Sequence, residues 1–114
     1  MLVDALNVLR STWPNIPAGE LVELCGKWAA AEDVRPVVVF DGSAPPPGDM
    51  PVETVSTGAE SADDWIAREA ASLHGRGATF WLVTSDRELR ERAAPGAARV
   101  IGGGTFARTL LGLR

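Results

Sequence analysis

Val37-Val-Val-Phe40-Asp41-Gly42 is an unbroken β-branched and aromatic run that closes on an aspartate and a glycine. A half-exposed strand alternates apolar with polar residues. Four apolar residues in succession instead describe a strand buried on both faces, as in a parallel sheet covered by helices on each side. Phe80-Trp-Leu-Val83, followed by Thr84-Ser85-Asp86, repeats the pattern, and Leu2-Val3-Asp4 is a shorter version of it. Val100-Ile101 reads as a last strand and the weakly alternating Val52–Ser56 as a short edge strand.

Helical patterns lie between these runs. From Glu20 to about Asp33, residues Leu21, Leu24, Cys25, Trp28 and Ala29 recur at i, i+3, i+4, i+7 and i+8, one apolar stripe of an amphipathic helix. Ser61 to about His74 turns Ala62, Trp65, Ile66, Ala70 and Leu73 inward and stops at Gly75 and Gly77. A short charged helix carries Arg87 to Arg92, and Thr105 is placed to cap a final helix containing Phe106, Leu110 and Leu111. Ser11–Gly19 and Ser43–Pro51 hold two and four prolines and read as irregular segments. Strands alternating with helices define a single α/β domain over residues 1–114, with a parallel sheet of four or five strands covered on both faces.

Composition narrows the setting. The chain has 114 residues, 46% of them hydrophobic, enough for a real core without disulfides. Its one cysteine, Cys25, lies on the helical stripe as a small buried hydrophobe, and the absence of cysteine pairs points to a reducing compartment. No apolar run approaches the roughly 18 residues needed to span a bilayer, so the expectation is a soluble, cytoplasmic protein without a membrane partner. The net charge of −4 is uneven: residues 1–84 hold 12 acids and 5 bases, whereas residues 85–114 hold 3 acids and 6 arginines. A uniformly basic nucleic-acid coat is excluded, while an acidic centre with arginines on one flank is not.

The acidic centre follows from the strands. Three apolar runs end in aspartate, at Asp4, Asp41 and Asp86, and in an open parallel sheet the carboxyl ends of the strands all border one crevice. A single aspartate there is often only a helix cap. Three converging carboxylates repel one another and call for a cation, and a hard divalent ion with oxygen ligands, Mg2+ or Mn2+, is the natural one. In Ser61-Ala-Asp-Asp64, Ser61 and Asp64 form a capping box. Asp63 has no such employment and sits at a helix N-terminus near the same edge, which makes it the better site residue, with Asp64 secondary. Asn7 follows Asp4 by three residues and is either a turn former or an amide that orients Asp4 or a phosphate oxygen; Ser85 has the same two readings. Haloacid-dehalogenase phosphatases and response-regulator receivers also place aspartates at strand ends, but both rely on a lysine beside them. The only lysine here, Lys27, lies mid-helix. Gly102-Gly-Gly104 lacks the spacing of a dinucleotide-binding loop.

Val3-Asp-Ala-Leu-Asn7, Val38-Val-Phe-Asp-Gly42, Ser61-Ala-Asp-Asp-Trp-Ile66 and Val83-Thr-Ser-Asp86 stand in the order and approximate spacing of the NYN domains. The chain resembles most of all the YacP-like branch of the PIN-like nucleases, from Leu2 to about Leu111. The resemblance implies a three-layer α/β/α sandwich with strand order 3-2-1-4-5, and a metal-dependent endoribonuclease acting on single-stranded RNA. Carried over by motif, Asp4, Asn7, Asp41, Asp63 and Asp86 are the catalytic residues, the four aspartates holding Mg2+ or Mn2+. Arg87, Arg90, Arg92, Arg99 and Arg108 are candidates to track the RNA backbone. The chain departs from the family in carrying Ala5-Leu6 where Gly-Tyr is usual, in its short first strand, and in stopping near Arg114 without the basic extension that many YacP-like proteins carry, and a reduced RNA affinity is the expected result. Besides RNA, self-association into a homodimer is left open. Two other functions also stay open: a domain that binds RNA or a ribosome-associated partner without cutting, and a small-molecule phosphatase.

Overall fold

The computed structural model describes residues 1–114, in the order β1 (Leu2–Asp4), α1 (Ala5–Arg10), α2 (Ala18–Glu32), β2 (Val37–Phe40), β3 (Glu53–Ser56), α3 (Ala62–Gly75), β4 (Trp81–Val83), α4 (Arg87–Ala93), β5 (Arg99–Ile101) and α5 (Gly103–Leu111). The strands form one five-stranded sheet in the order β3-β2-β1-β4-β5. Every pairing is parallel, with Val3 opposite Val38 and Val83 at the centre. The order and the parallel pairing match the expectation.

Side chains alternate across the sheet, as the pleat requires. Val3, Val38 and Val83 pack on one face against α1, α2 and α5, while Leu2, Val39 and Leu82 pack on the other against α3 and α4. The α2 stripe Leu21, Leu24, Cys25, Trp28 and Ala29 is buried throughout. Trp28 meets Phe106 of α5 edge-on at 5.2 Å and Trp81 of β4 at 6.5 Å, so one indole locks α2 to the sheet and to the last helix. Burial pushes the Cys25 thiol up to about 12, which leaves it an inert part of that layer. No helix is long and apolar enough to cross a membrane.

Two local expectations are corrected. Residues 5–10 form a helix, α1, rather than the turn expected after the first strand. Its single buried turn, Ala5 and Val8, is too short to show a periodicity against its neighbours. Thr105 does not cap α5, which starts at Gly103 with Gly102 at the cap position. The cap comes from a distant residue: the Gly103 amide donates to Ser85 Oγ at 2.7 Å.

Candidate active site

Each strand that ends in aspartate is followed by a change of direction that leaves the carboxylate at the carboxyl edge of the sheet. After Asp41 the change is made by Gly42, whose φ of +73° is a left-handed conformation that favours glycine. The Gly42 amide donates to Thr57 Oγ1 at 3.2 Å and the Ala44 amide to Ser56 Oγ at 3.0 Å, which ties the proline-rich loop back to β3. Asp4 and Asp86 pass directly into α1 and α4.

The four aspartates come together. Asp4, Asp41, Asp63 and Asp86 line one cavity of about 130 Å³, with Asn7, Leu6, Arg10 and Ser61 completing its wall. Asp4 is the most enclosed, 5% exposed. Its Oδ2 accepts from the Thr84 hydroxyl at 3.0 Å and its Oδ1 from the Asn7 amide at a long 3.5 Å. Thr84 Oγ1 in turn accepts from the Asp86 amide at 3.1 Å, so a fully buried threonine links the ends of β1 and β4. Asp41 Oδ1 accepts from the first amide of α3, Ala62, at 2.9 Å, and Asp86 Oδ1 from Leu89 in α4 at 2.8 Å. The Asp63 carboxylate, on the first turn of α3, accepts no hydrogen bond from the protein.

The electrostatics record the crowding. Asp4 is raised above the ordinary 3.8, first by burial; the Thr84 and Asn7 hydrogen bonds pull the other way and the charges of Asp63 and Asp41 add to the rise. Asp63 is raised as well, by burial and then by Asp86 and Asp41. As the chain stands, no group of three carboxylates is arranged to hold one ion between them. The donor set is nonetheless of the right kind for Mg2+ or Mn2+: hard carboxylate oxygens that destabilise one another unless a cation is shared among them.

Asn7 reaches the same wall with its amide oxygen already engaged, accepting from the Ser85 amide at 2.8 Å. Its Nδ2 makes no bond within the protein and is the group left for a ligand. Buried Gly103 backs this arrangement, since a Cβ there would lie 2.0 Å from Asn7 Oδ1.

The remaining candidates lie elsewhere. Ser85 does not line the cavity; its hydroxyl holds the N-terminus of α5. Asp64 faces outward and binds Arg92 at 2.8 Å, an interhelical ion pair that lowers its pKa, while the Asp64 amide donates to Ser61 Oγ at 3.1 Å. Only the Ser61 half of the expected capping box is formed. Arg92 is thereby occupied, and Arg90 is tied down through Nε to the Thr84 carbonyl at 2.8 Å. Arg99 begins β5 at the opposite edge of the sheet, stacked over Trp81 at 5.1 Å. Arg108 lies in the last turn of α5. Arg87 follows Asp86 in sequence without lining the cavity; it is almost fully exposed and pairs only loosely with Glu91, at 3.8 Å. Sequence reading missed Arg10, which lines the cavity, and Thr84, which positions Asp4. Arg10 follows Leu6 by four residues, a helical spacing that becomes visible only once residues 5–10 are assigned to a helix.

A parallel sheet in this order, with carboxylates at the ends of β1, β2 and β4 and on the first turn of α3, has the PIN-like α/β/α architecture. The crystal structure of Rae1 (YacP) from Bacillus subtilis shares it, with a TM-score of 0.71 and 22% identity over 98% of this chain and 73% of that one. A point variant of that protein gives 0.72 and 20%, over 98% and 74%. At this identity the likeness is one of fold. No protein-family model matches the sequence, and no curated protein does.

Proposed function

We propose that the chain is a metal-dependent endoribonuclease that hydrolyses single-stranded RNA. The observation that carries this reading is the convergence of Asp4, Asp41, Asp63 and Asp86, from four separate segments, on one small cavity of a YacP-like fold. Asp4, Asp41, Asp63 and Asp86 would hold Mg2+ or Mn2+, which when bound would supply the Lewis acidity that makes water a nucleophile at neutral pH and offsets charge on the phosphate. The side chains do the rest. Thr84 fixes the Asp4 carboxylate, Asn7 presents its Nδ2 to a non-bridging phosphate oxygen, and Arg10, on the cavity wall, neutralises an adjoining phosphate, with exposed Arg87 of α4 a further cation for the strand. The walls keep the site small, so a flexible single strand enters more readily than a duplex.

The absence of a ready-made three-carboxylate cluster favours a second reading, an RNA-binding domain that does not cut. One experiment separates them. A labelled single-stranded RNA is incubated with Mg2+ or Mn2+, with and without chelator, while thermal unfolding is followed across a millimolar titration of each metal. Cleavage that stops in chelator, and a metal-dependent rise in Tm that Asp41→Asn largely removes, support the nuclease. Asparagine keeps an oxygen to accept from Ala62, so α3 stays capped in that variant. RNA binding without cleavage, and without any metal effect on Tm, would sink the enzymatic reading.

A further inference from the structure

Trp13 is 86% exposed, whereas Trp28 is 9% exposed and Trp65 and Trp81 are half-buried. The segment that presents it is well held. The Ser11 and Thr12 amides donate to the Val8 and Leu9 carbonyls at 3.0 and 3.2 Å, i→i−3 bonds that close the end of α1. Thr12, 3% exposed, also donates its hydroxyl to the Leu9 carbonyl at 2.7 Å, and Ile16 is anchored in the core. An indole at full exposure on an anchored turn is not explained by packing, because tryptophan is the side chain with most to gain from burial.

Its placement relative to the cavity is informative. Leu6 and Arg10 line the acidic cavity. Leu6 and Arg10, at i and i+4, share one face of α1, the face opposite buried Ala5 and Val8, and Trp13 stands two residues beyond Ser11, where the helix ends. Arg10 takes part in none of the ion pairs of the structure. Three residues separate Arg10 from Trp13, a reach of at most about 10 Å. The exposed face of α1 and the segment that follows it therefore offer, in sequence, an acidic pocket, an unpaired guanidinium and an exposed aromatic plane. A cation and a stacking surface in line suit a single nucleic-acid strand, whose phosphates and bases alternate in the same way.

We infer that the exposed face of α1, with the anchored segment after it, is the lead-in track for single-stranded RNA, Arg10 binding a phosphate beside the carboxylate cavity and Trp13 stacking a neighbouring base. This rests on the RNA reading above and assigns to it the residues that seat the substrate. Trp13 is a binding residue here; it takes no part in the chemistry.

The test uses Asp41→Asn, which holds the substrate uncut, and measures Kd for a fluorescein-labelled single-stranded RNA by anisotropy. Adding Trp13→Ala should weaken binding roughly ten-fold or more, as loss of one stacked base does. Trp13→Phe should restore most of it, and neither change should move Tm. An abasic ribose-phosphate strand should bind independently of Trp13 while remaining sensitive to Arg10→Ala. In the cutting protein, Trp13→Ala should raise KM with kcat preserved. If the parent cuts RNA and Trp13→Ala has the same KM, the track is wrong and the nuclease reading stands. A Trp13-dependent dimer in sedimentation, with RNA affinity unchanged, would reassign the indole to self-association and overturn the inference. A parent chain that neither binds nor cuts RNA removes both.

Discussion

Gly103→Ala is expected to destabilise the protein, although replacing a helical glycine by alanine ordinarily adds up to about 1 kcal/mol of stability. The reason is a single contact. A Cβ on Gly103 would stand 2.0 Å from Asn7 Oδ1 and 3.1 Å from Asn7 Cγ, well inside van der Waals contact, at a buried position on the first turn of α5. Asn7 must move, and its bond from the Ser85 amide goes with it. Overpacking of this kind costs roughly 1–3 kcal/mol, and the lost hydrogen bond about 1 kcal/mol more. Less the helix gain, the net loss is about 1–3 kcal/mol, a fall in Tm of roughly 4–12 °C for a chain of this length.

Urea unfolding measures the loss directly, and two companion variants identify its source. Gly104→Ala on the same helix meets only Arg108 Nη1, at 3.7 Å, and should be neutral or slightly stabilising. In an Asn7→Ala background the obstruction is gone, so Gly103→Ala should cost little there, giving a coupling of about 1–3 kcal/mol between the two sites. Because the same shift displaces Asn7 Nδ2 from the cavity wall, cleavage should fall in Gly103→Ala and not in Gly104→Ala. A Gly103→Ala protein more stable than its parent, or equally destabilised with and without Asn7, would refute the close approach and the placement of Asn7 that depends on it.

Asp4→Asn should abolish cleavage while leaving the metal-free protein at least as stable as the parent, because it removes one of the crowded charges and keeps an oxygen for Thr84; a variant that melts lower yet cuts normally would make the first motif structural. The pH dependence follows from the same crowding. Asp4 and Asp63 hold protons more tightly in the folded chain than at their ordinary 3.8, so the stability their protonation confers is full below that pH and is lost as pH rises through the raised values. Asn at both positions should therefore gain on the parent between about pH 4 and pH 7 in metal-free urea unfolding, and a gap that does not change with pH would contradict the assignment.

The parts legible in the sequence are those decided by near neighbours along the chain. Val37–Phe40 reads as a doubly buried strand because burial on both faces leaves a short unbroken β-branched and aromatic run, and the Leu21 to Ala29 spacing reads as one helical stripe because burial on one face leaves a 3.6-residue trace. The aspartates were legible for the same reason, each closing an apolar run. What escaped depends on residues far apart in sequence. Ser85 reads locally as a turn or a phosphate ligand, yet it caps a helix 18 residues away, so Thr105, the nearest hydroxyl to that helix, was credited with the work instead. Asp64 had a local partner in Ser61 and in fact found Arg92, 28 residues on. Arg10 carried no signal because α1, at six residues, is less than two turns long.

Helix capping and catalysis are commonly weighed as rival explanations of an aspartate at a strand end, but here they occupy different oxygens of the same carboxylates. Asp41 and Asp86 each accept a helix amide through Oδ1 and leave Oδ2 without a protein partner. Asp4 accepts more weakly from the amide of Asn7 in α1. Each such bond sets a carboxylate against the positive end of a helix, which carries the equivalent of roughly half an elementary charge. Three helix N-termini thus offset part of the repulsion that would otherwise drive four carboxylates apart, and they also decide which oxygens remain available. Asp63, which no amide holds, is left with its carboxylate uncommitted, its charge opposed by Asp86 and Asp41 and offset by Arg92 alone. The caps are therefore a condition for assembling an acidic site on this fold, and removing a cap should disturb the site by reorienting a carboxylate before it disturbs the helix.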